Sequence, residues 1–172
     1  MHDVWALVDS VDIKGEASDR SASSAVVWVG SIGYERHKDS REFAHLLAEA
    51  GVERLVDVRE LPISRRRGYA KTALGAVIEE AGMEYVHFKA LGNPKPFRDL
   101  YKSGRAAEGK QLYEAFLLAE RTEALKELST MITDKRTALM CVEDDPCVCH
   151  RTVIIDSLQD SLGLDLEIAD LG

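Results

Sequence analysis

Residues 25–58 read AVVWVGSIGYERHKDSREFAHLLAEAGVERLVDV, and this stretch decides the fold class. It begins with a β-branched, apolar run at 25–32, which is typical of a buried strand. An amphipathic helix is predicted next, with Ser40 as its N-cap and Gly51 as its stop. A second apolar run at 52–58 predicts another strand. A strand, a helix and a strand in such close succession predict a parallel βαβ unit.

The same alternation continues along the chain. We predict further helices at 71–81, 107–119, 122–133 and 151–162 and further strands at 83–88, 137–141 and 165–169. This order predicts an α/β fold: one three-layer domain over residues 25–172, with a mostly parallel sheet of about five strands and helices on both faces. Residues 1–24 end in a segment rich in Ser, Asp and Gly, and we expect them to form an N-terminal extension or linker.

The composition bounds the class of protein. The chain has 172 residues, 45% of them hydrophobic and 30% charged, which is ordinary for a globular domain with a buried core. No apolar run reaches the roughly 20 residues that cross a bilayer. Asp3 and Asp9 interrupt the apolar stretch that a signal peptide requires at the N-terminus. The three cysteines lie within nine residues and do not suggest a disulfide framework. We therefore expect a cytoplasmic protein with no membrane partner.

Positive charge is concentrated in loops, although the net charge of the chain is −8. Windows 34–38, 59–71 and 89–105 hold 12 of the 22 Lys and Arg residues and only three carboxylates. Each window follows a predicted strand, and ligands of parallel sheets bind beyond the carboxyl ends of the strands. We therefore expect an anionic partner at this edge, either a small molecule that bears phosphate or a nucleic acid. The alternative is that these loops simply collect charged residues.

The segment 138–151, ALMCVEDDPCVCHR, contains all three cysteines. Its apolar run ends at Cys141, where an inert buried thiol is expected. Cys149 stands where a helix is predicted to begin, and unpaired N–H groups at a helix start lower the pKa of a nearby thiol. Cys149 is therefore the predicted nucleophile, and Arg151 is a predicted anion ligand. The carboxylates at 143–145 act in the opposite direction, because they raise thiol pKa values.

Other candidate site residues follow from the strand ends. Asp57 and Arg59 lie on either side of Val58. Because side chains alternate between the two faces of a strand, both point to the same face, where they share a ligand or pair with each other. His87 near the end of a strand is either an acid–base group or a structural histidine. The predicted catalytic residues are therefore Asp57, His87, Glu143, Cys149 and His150, and the predicted ligand-binding residues are Arg59, Ser64, Arg65, Tyr101 and Arg151.

The cysteines and the neighbouring histidine are also metal ligands by residue type. Their spacing, Cys-x5-Cys-x-Cys-His, lacks the cysteine pairs separated by two residues that are typical of zinc sites. The sequence therefore requires no cofactor. If the chain binds a metal, the expected ligands are Cys141, Cys149 and His150.

Four blocks of the chain occur in the order and spacing typical of one known family. They are SIGY at 31–34, LVDVR at 55–59 with Pro62 and SR at 64–65, EYVH at 84–87 with ALG at 90–92, and ALMCVE at 138–143 with CHR at 149–151. Together they resemble the domain-of-unknown-function 488 family of prokaryotes, over about residues 26–170. The resemblance implies a compact α/β domain and supplies no established activity. The first family block often has His and then Ser or Thr after its Gly, where this chain has Tyr34 and Glu35.

A weaker similarity is to rhodanese-type sulfurtransferases. VDVRE at 56–60 resembles their early strand motif, and a strand that ends in Cys141 before a helix led by Arg151 resembles their active loop. That class uses a tighter loop than the one found here. Three hypotheses remain: a Cys/His-dependent enzyme that processes a phosphate-bearing ligand, a non-catalytic module that binds an anion or nucleic acid, and a sulfur-transfer or metal site.

Overall fold

Apolar side chains point to both faces of the predicted strands, so the sheet has to be covered on both sides. The structure is a computed structural model that describes residues 25–172, so the predicted extension at 1–24 lies outside the described residues. One five-stranded, all-parallel sheet is formed by β1 (Val27–Gly33), β2 (Arg54–Asp57), β3 (Glu84–His87), β4 (Thr137–Cys141) and β5 (Leu166–Asp170). The strand order is β3-β2-β4-β1-β5. The predicted α/β fold is confirmed.

Six α-helices pack around this sheet within residues 25–172. They are α1 (Ser40–Glu49), α2 (Lys71–Glu80), α3 (Lys95–Lys102), α4 (Ala106–Glu120), α5 (Thr122–Asp134) and α6 (Arg151–Leu162). The five helices predicted from the sequence agree with the structure to within one residue at each end. None of the six is long and apolar enough to cross a membrane.

Two hydrophobic cores, one on each face of the sheet, produce the three layers. Leu55 packs with α1 and α2, whereas its neighbour Val56 packs with α4, α5 and α6. The same alternation in β4 sends Met140 to the first core and Leu139 to the second. All four side chains are fully buried. The predicted three-layer arrangement with helices on both faces is therefore confirmed.

Helix α3 lies between the predicted strand at 83–88 and the predicted helix at 107–119, where the sequence analysis predicted no helix. Pro94 and Pro96 hide it from sequence analysis, since proline usually interrupts helices. Pro94 precedes the helix as its N-cap residue, and Pro96 lies in the first turn, where no backbone N–H has an intrahelical partner to lose. Arg98 and Tyr101 therefore occupy one helix.

The N-cap of α1 also differs from the prediction by one residue. The side chain of Asp39, rather than that of Ser40, accepts hydrogen bonds from the backbone N–H groups of Arg41 and Glu42. A carboxylate at this position satisfies two unpaired donors and also complements the positive end of the helix dipole. Ser40 is buried inside the first turn.

Glycine allows two loops at the carboxyl edge of the sheet to approach closely. Gly92 lies against the loop after β2, and a Cβ placed on it would lie 2.7 Å from the backbone nitrogen of Glu60 and closer still to its Cα. A Cβ on Gly33 would collide with the backbone carbonyl of Glu143 in the same way. A larger residue at Gly92 would push apart the loops that follow β2 and β3, and one at Gly33 would push the loop after β4 away from the end of β1.

We expect Gly92→Ala to lower the free energy of unfolding by about 1–3 kcal/mol, because the backbone of Glu60 has to move. The φ of Gly92 is −68°, so alanine meets no conformational penalty there. Urea denaturation measures the loss. Gly104→Ala is the control, since its surroundings are open and its φ of 79° costs only about 1 kcal/mol. A loss well below 1 kcal/mol for Gly92→Ala would contradict the close approach.

Candidate functional site

A buried ion pair between Asp57 and Arg59 shapes the loop that follows β2. Asp57 is 0% exposed and Arg59 is 3% exposed. The Nε and Nη2 atoms of Arg59 donate to the two carboxylate oxygens at 2.8 and 2.5 Å, and Nη1 donates to the backbone carbonyl of Tyr69 at 2.9 Å. Tyr85 donates its hydroxyl to the same carboxylate at 2.6 Å. The sequence left open whether Asp57 and Arg59 share a ligand or pair with each other, and the structure shows that they pair with each other.

His87 holds the same loop from the other side. Its Nε2 lies 2.9 Å from the backbone carbonyl of Arg59, and a carbonyl only accepts, so Nε2 carries the proton. The imidazole thereby fixes the backbone of the residue next to Glu60. His87 and Asp57 do not line the cleft described below, and both are engaged in contacts with this loop.

Arg151 holds the loop that follows β4. It is 0% exposed, and its Nη2 donates to the carbonyls of Glu143 at 2.7 Å and Asp144 at 3.4 Å. Arg65 lies elsewhere on the exposed loop after β2, and Ser64 accepts a hydrogen bond from the backbone of Arg66. Arg59 is engaged by Asp57, Arg151 is buried against the loop after β4, and Arg65 is exposed and does not line the cleft described below, so the predicted shared anion site of these three residues stays a prediction.

A cleft of about 460 Å³ opens at the carboxyl edge of the sheet. The loop after β2, helix α3 and the loop after β4 form its walls. Cys141, Glu143 and His150 form one side, which we call the floor. The residues that line the cleft are Arg59, Glu60, Leu61, Asn93, Arg98, Tyr101, Lys102, Cys141, Val142, Glu143, Val148 and His150.

Two thiols face one imidazole nitrogen at the floor. The Nδ1 atom of His150 lies 3.8 Å from the Sγ of Cys141 and 3.9 Å from the Sγ of Cys149. Nε2 of the same ring donates to the carbonyl of Val58 at 2.9 Å, so in the neutral ring Nδ1 presents a lone pair to both thiols. The Cys141 thiol also donates to the Oε2 of Glu143 at 3.0 Å. Cys141 is therefore the thiol that faces both a carboxylate and the cleft.

Cys149 is sealed in the core, which overturns the predicted low thiol pKa. Its side chain is 1% exposed and packs in the hydrophobic core of α4, α5 and α6. Burial raises the pKa of Cys149 well above its usual value, the Cys141 thiol raises it further, and His150 opposes both. Desolvation outweighs the helix start because no solvent reaches the sulfur. Cys141 is buried, as predicted, whereas the burial of Cys149 conflicts with its predicted role as a reactive nucleophile.

The titration of the floor residues reflects their mutual contacts. Burial alone lowers the pKa of His150, but the Cys149 thiol, the Val58 carbonyl and the Glu143 carboxylate together raise it above its usual value. Burial, and then the nearby Cys149, Glu143 and Cys141, raise the pKa of Tyr101. Tyr101 therefore keeps its phenolic proton at neutral pH and faces the cleft as a hydrogen-bond donor.

Several cleft residues were missed by the sequence analysis. Asn93 is 3% exposed, and its Oδ1 has no hydrogen-bond partner among the described residues. Arg98 pairs with Glu60 at 2.9 Å, and Lys102 lies one helical turn further along α3. Arg98 and Lys102 are four residues apart, a spacing that places both on one face of a helix. This spacing predicts a shared positive surface only if α3 is recognised as a helix. Of the predicted site residues, the cleft brings together Arg59, Tyr101, Glu143 and His150.

The three residues expected to bind a metal also meet at one point. One ligand atom each from Cys141, Cys149 and His150 lies within 4.8 Å of the other two, and all three residues are buried. Cys147 is exposed and stands outside this group. These side chains are therefore able to surround a single ion.

Comparison with known proteins gives one match. The model of a family described as Domain of unknown function DUF488 matches residues 39–158, which include every residue that lines the cleft. No curated protein matches the chain, and no solved structure matches it either. The family resemblance read from the four sequence blocks is thereby confirmed, whereas the similarity to rhodaneses gains no support.

We expect iodoacetamide to modify Cys147 readily and Cys149 slowest in the folded protein. Cys147 is exposed, whereas burial hides Cys149 and raises its pKa, which lowers the fraction of reactive thiolate. Peptide mass spectrometry over a time course measures the two rates, and urea with a chelator should make them converge. Modification of Cys149 at the rate of Cys147 in native protein would show that it is not sealed.

Proposed function

We propose a function for this chain from the premise that it belongs to the family described as Domain of unknown function DUF488. Its cleft binds a phosphate-bearing ligand, a nucleotide or a segment of nucleic acid. Glu143 exchanges protons with that ligand, beside the Cys141 thiol and the His150 imidazole. The chain is, in this proposal, an enzyme whose catalytic residues are those of the floor.

The observation that carries the proposal is a pair of unpartnered polar atoms on residues that line the cleft. Asn93 Oδ1 and Tyr101 Oη are buried and have no hydrogen-bond partner among the described residues. Burial of an unpaired polar atom costs about 1–3 kcal/mol, a cost that a bound molecule with matching groups removes. A volume of about 460 Å³ is of the size that holds a mononucleotide-sized ligand. Both atoms therefore favour a ligand with polar edges.

The wall formed by α3 supplies the positive charge. Lys102 is exposed and makes no ion pair within residues 25–172. Arg98 is one third exposed and, among the residues that the structure describes, pairs only with the similarly exposed Glu60, a partner that a phosphate is able to replace. Arg65 and Arg67, exposed on the loop after β2, add longer-range attraction for an anion. Phosphate is therefore expected on the α3 side, away from the Glu143 carboxylate.

Glu143 is the group best placed for proton transfer. It lines the cleft, is half-buried, and lies at hydrogen-bond distance from the Cys141 thiol. His150 stands behind that thiol with Nδ1 free to accept a proton. Asp57, His87 and Cys149 do not line the cleft, so they leave the list of catalytic candidates.

A non-catalytic binding module is the second candidate, and one observation favours it. Asp57, Arg59 and His87 are all engaged in contacts that hold loops, which leaves fewer groups for chemistry than the sequence suggested. The two candidates differ in one outcome. An enzyme converts a ligand that it binds and loses that conversion in Glu143→Gln, whereas a binding module leaves the ligand unchanged in both proteins, as measured by mass spectrometry.

We expect Lys102→Ala to weaken the binding of phosphate-bearing probes about tenfold, because one charge-assisted contact is lost. Titration calorimetry with AMP, ADP and a short single-stranded DNA measures the affinities, and added salt should weaken them further. Lys126→Ala on α5 is the matched control: it removes the same charge from an exposed lysine that does not line the cleft. Equal affinities in the two variants, or no binding of any probe, would refute the proposal.

A further inference from the structure

We infer that Cys141, Cys149 and His150 form a zinc site that opens into the cleft. The site stands on these three side chains whatever ligand the cleft takes, so its presence is separable from the proposed function. Three buried ligand atoms on two different segments, the end of β4 and the start of α6, converge within 4.8 Å. Zinc in proteins takes cysteine sulfur and histidine nitrogen in this way.

The distances already approach those of a tetrahedral zinc centre. Zinc–sulfur bonds of about 2.3 Å and zinc–nitrogen bonds of about 2.0 Å place sulfur and nitrogen about 3.5 Å apart. The Nδ1 atom of His150 lies 3.8 Å from one sulfur and 3.9 Å from the other. Shifts of about 0.4 Å bring both sulfur–nitrogen separations to this value, and the two sulfurs, which lie within 4.8 Å of each other, have to reach about 3.8 Å.

The imidazole is already oriented as a metal ligand. Its Nε2–H group donates to the carbonyl of Val58 at 2.9 Å, which fixes the ring and turns the Nδ1 lone pair toward the two sulfurs. Zinc-bound histidines typically donate their second N–H to a backbone carbonyl or a carboxylate, an arrangement that sets the tautomer. Val58 supplies that partner here.

The charge balance also suits a buried ion. Two thiolates and one neutral imidazole bring two negative charges to Zn²⁺, so the centre as a whole is neutral among side chains that are almost fully buried. Binding transfers the two thiol protons to solvent, which makes the affinity rise with pH. The Glu143 carboxylate, 3.0 Å from the Cys141 sulfur, then no longer accepts a hydrogen bond from the thiol. It becomes free to accept a proton from a different donor.

The open side of the ion faces the cleft. Cys141 and His150 line the cleft, whereas Cys149 approaches from the core. Three protein ligands with one remaining position are the arrangement of catalytic zinc. A water molecule in that position would release a proton to Glu143 and leave hydroxide on the ion, next to the bound ligand. Two cysteines, one histidine and a glutamate that is not a ligand also serve zinc-dependent nucleobase deaminases.

Metal analysis of the full chain, expressed with added zinc and purified without chelators, tests the inference. We expect about one zinc ion per chain, retained in Cys147→Ser and at least tenfold lower in Cys141→Ser, Cys149→Ser and His150→Gln. Cys147→Ser is the matched control because it removes an exposed thiol from the same loop. Zinc retained in Cys149→Ser but lost in Cys147→Ser would overturn the assignment.

Cobalt titration of chelator-treated wild-type protein provides a second test that needs no substitution in the core. Binding of Co²⁺ by two thiolates and one imidazole should produce thiolate-to-cobalt charge-transfer absorption and the intense visible bands of tetrahedral cobalt. Wild-type protein that neither retains zinc nor shows this absorption would overturn the inference. That result would leave the dependence of phosphate-probe binding on Lys102 intact, so the two proposals fail separately.

Discussion

The hydrogen bond from His150 Nε2 to the carbonyl of Val58 is the interaction on which the rest of the site depends. It joins the start of α6 to the loop after β2, two segments far apart in the chain that meet because their strands are neighbours in the sheet. It also determines which nitrogen of His150 carries the proton, since a neutral ring that donates from Nε2 offers the lone pair of Nδ1 to the two thiols. Either a proton or a metal ion is able to occupy the space between them.

Much of the positive charge in the loops stabilises the fold and does not serve a ligand. Arg59 neutralises the buried Asp57, Arg151 binds the carbonyls of residues 143 and 144, and Arg66 donates to the carbonyls of Tyr34 and His37. Guanidinium groups suit this task because one side chain reaches several acceptors. The charge left for an anion lies on α3 and on the exposed part of the loop after β2, which narrows where a ligand is able to bind.

The predictions from sequence succeeded for features that short segments of the chain determine, and they failed for features that depend on how distant segments pack together. Apolar periodicity and glycine stops such as Gly51 are properties of short segments, so helix bounds and the layered fold followed from them. The start of α3 was missed because Pro96 is tolerated only in a first turn, which the sequence alone does not locate. The reactivity of Cys149 was overestimated because the depth of a side chain depends on how α6 packs.

The most direct test of this account is the tautomer of His150, measured by nitrogen-15 NMR on histidine-labelled protein as the pH is raised until the imidazole is neutral. The signal is assigned by its loss in His150→Gln. The account predicts a proton on Nε2, held by the Val58 carbonyl, and a Nδ1 resonance that shifts when zinc is added. A proton on Nδ1 would contradict it, because that nitrogen could then neither accept a thiol proton nor bind a metal.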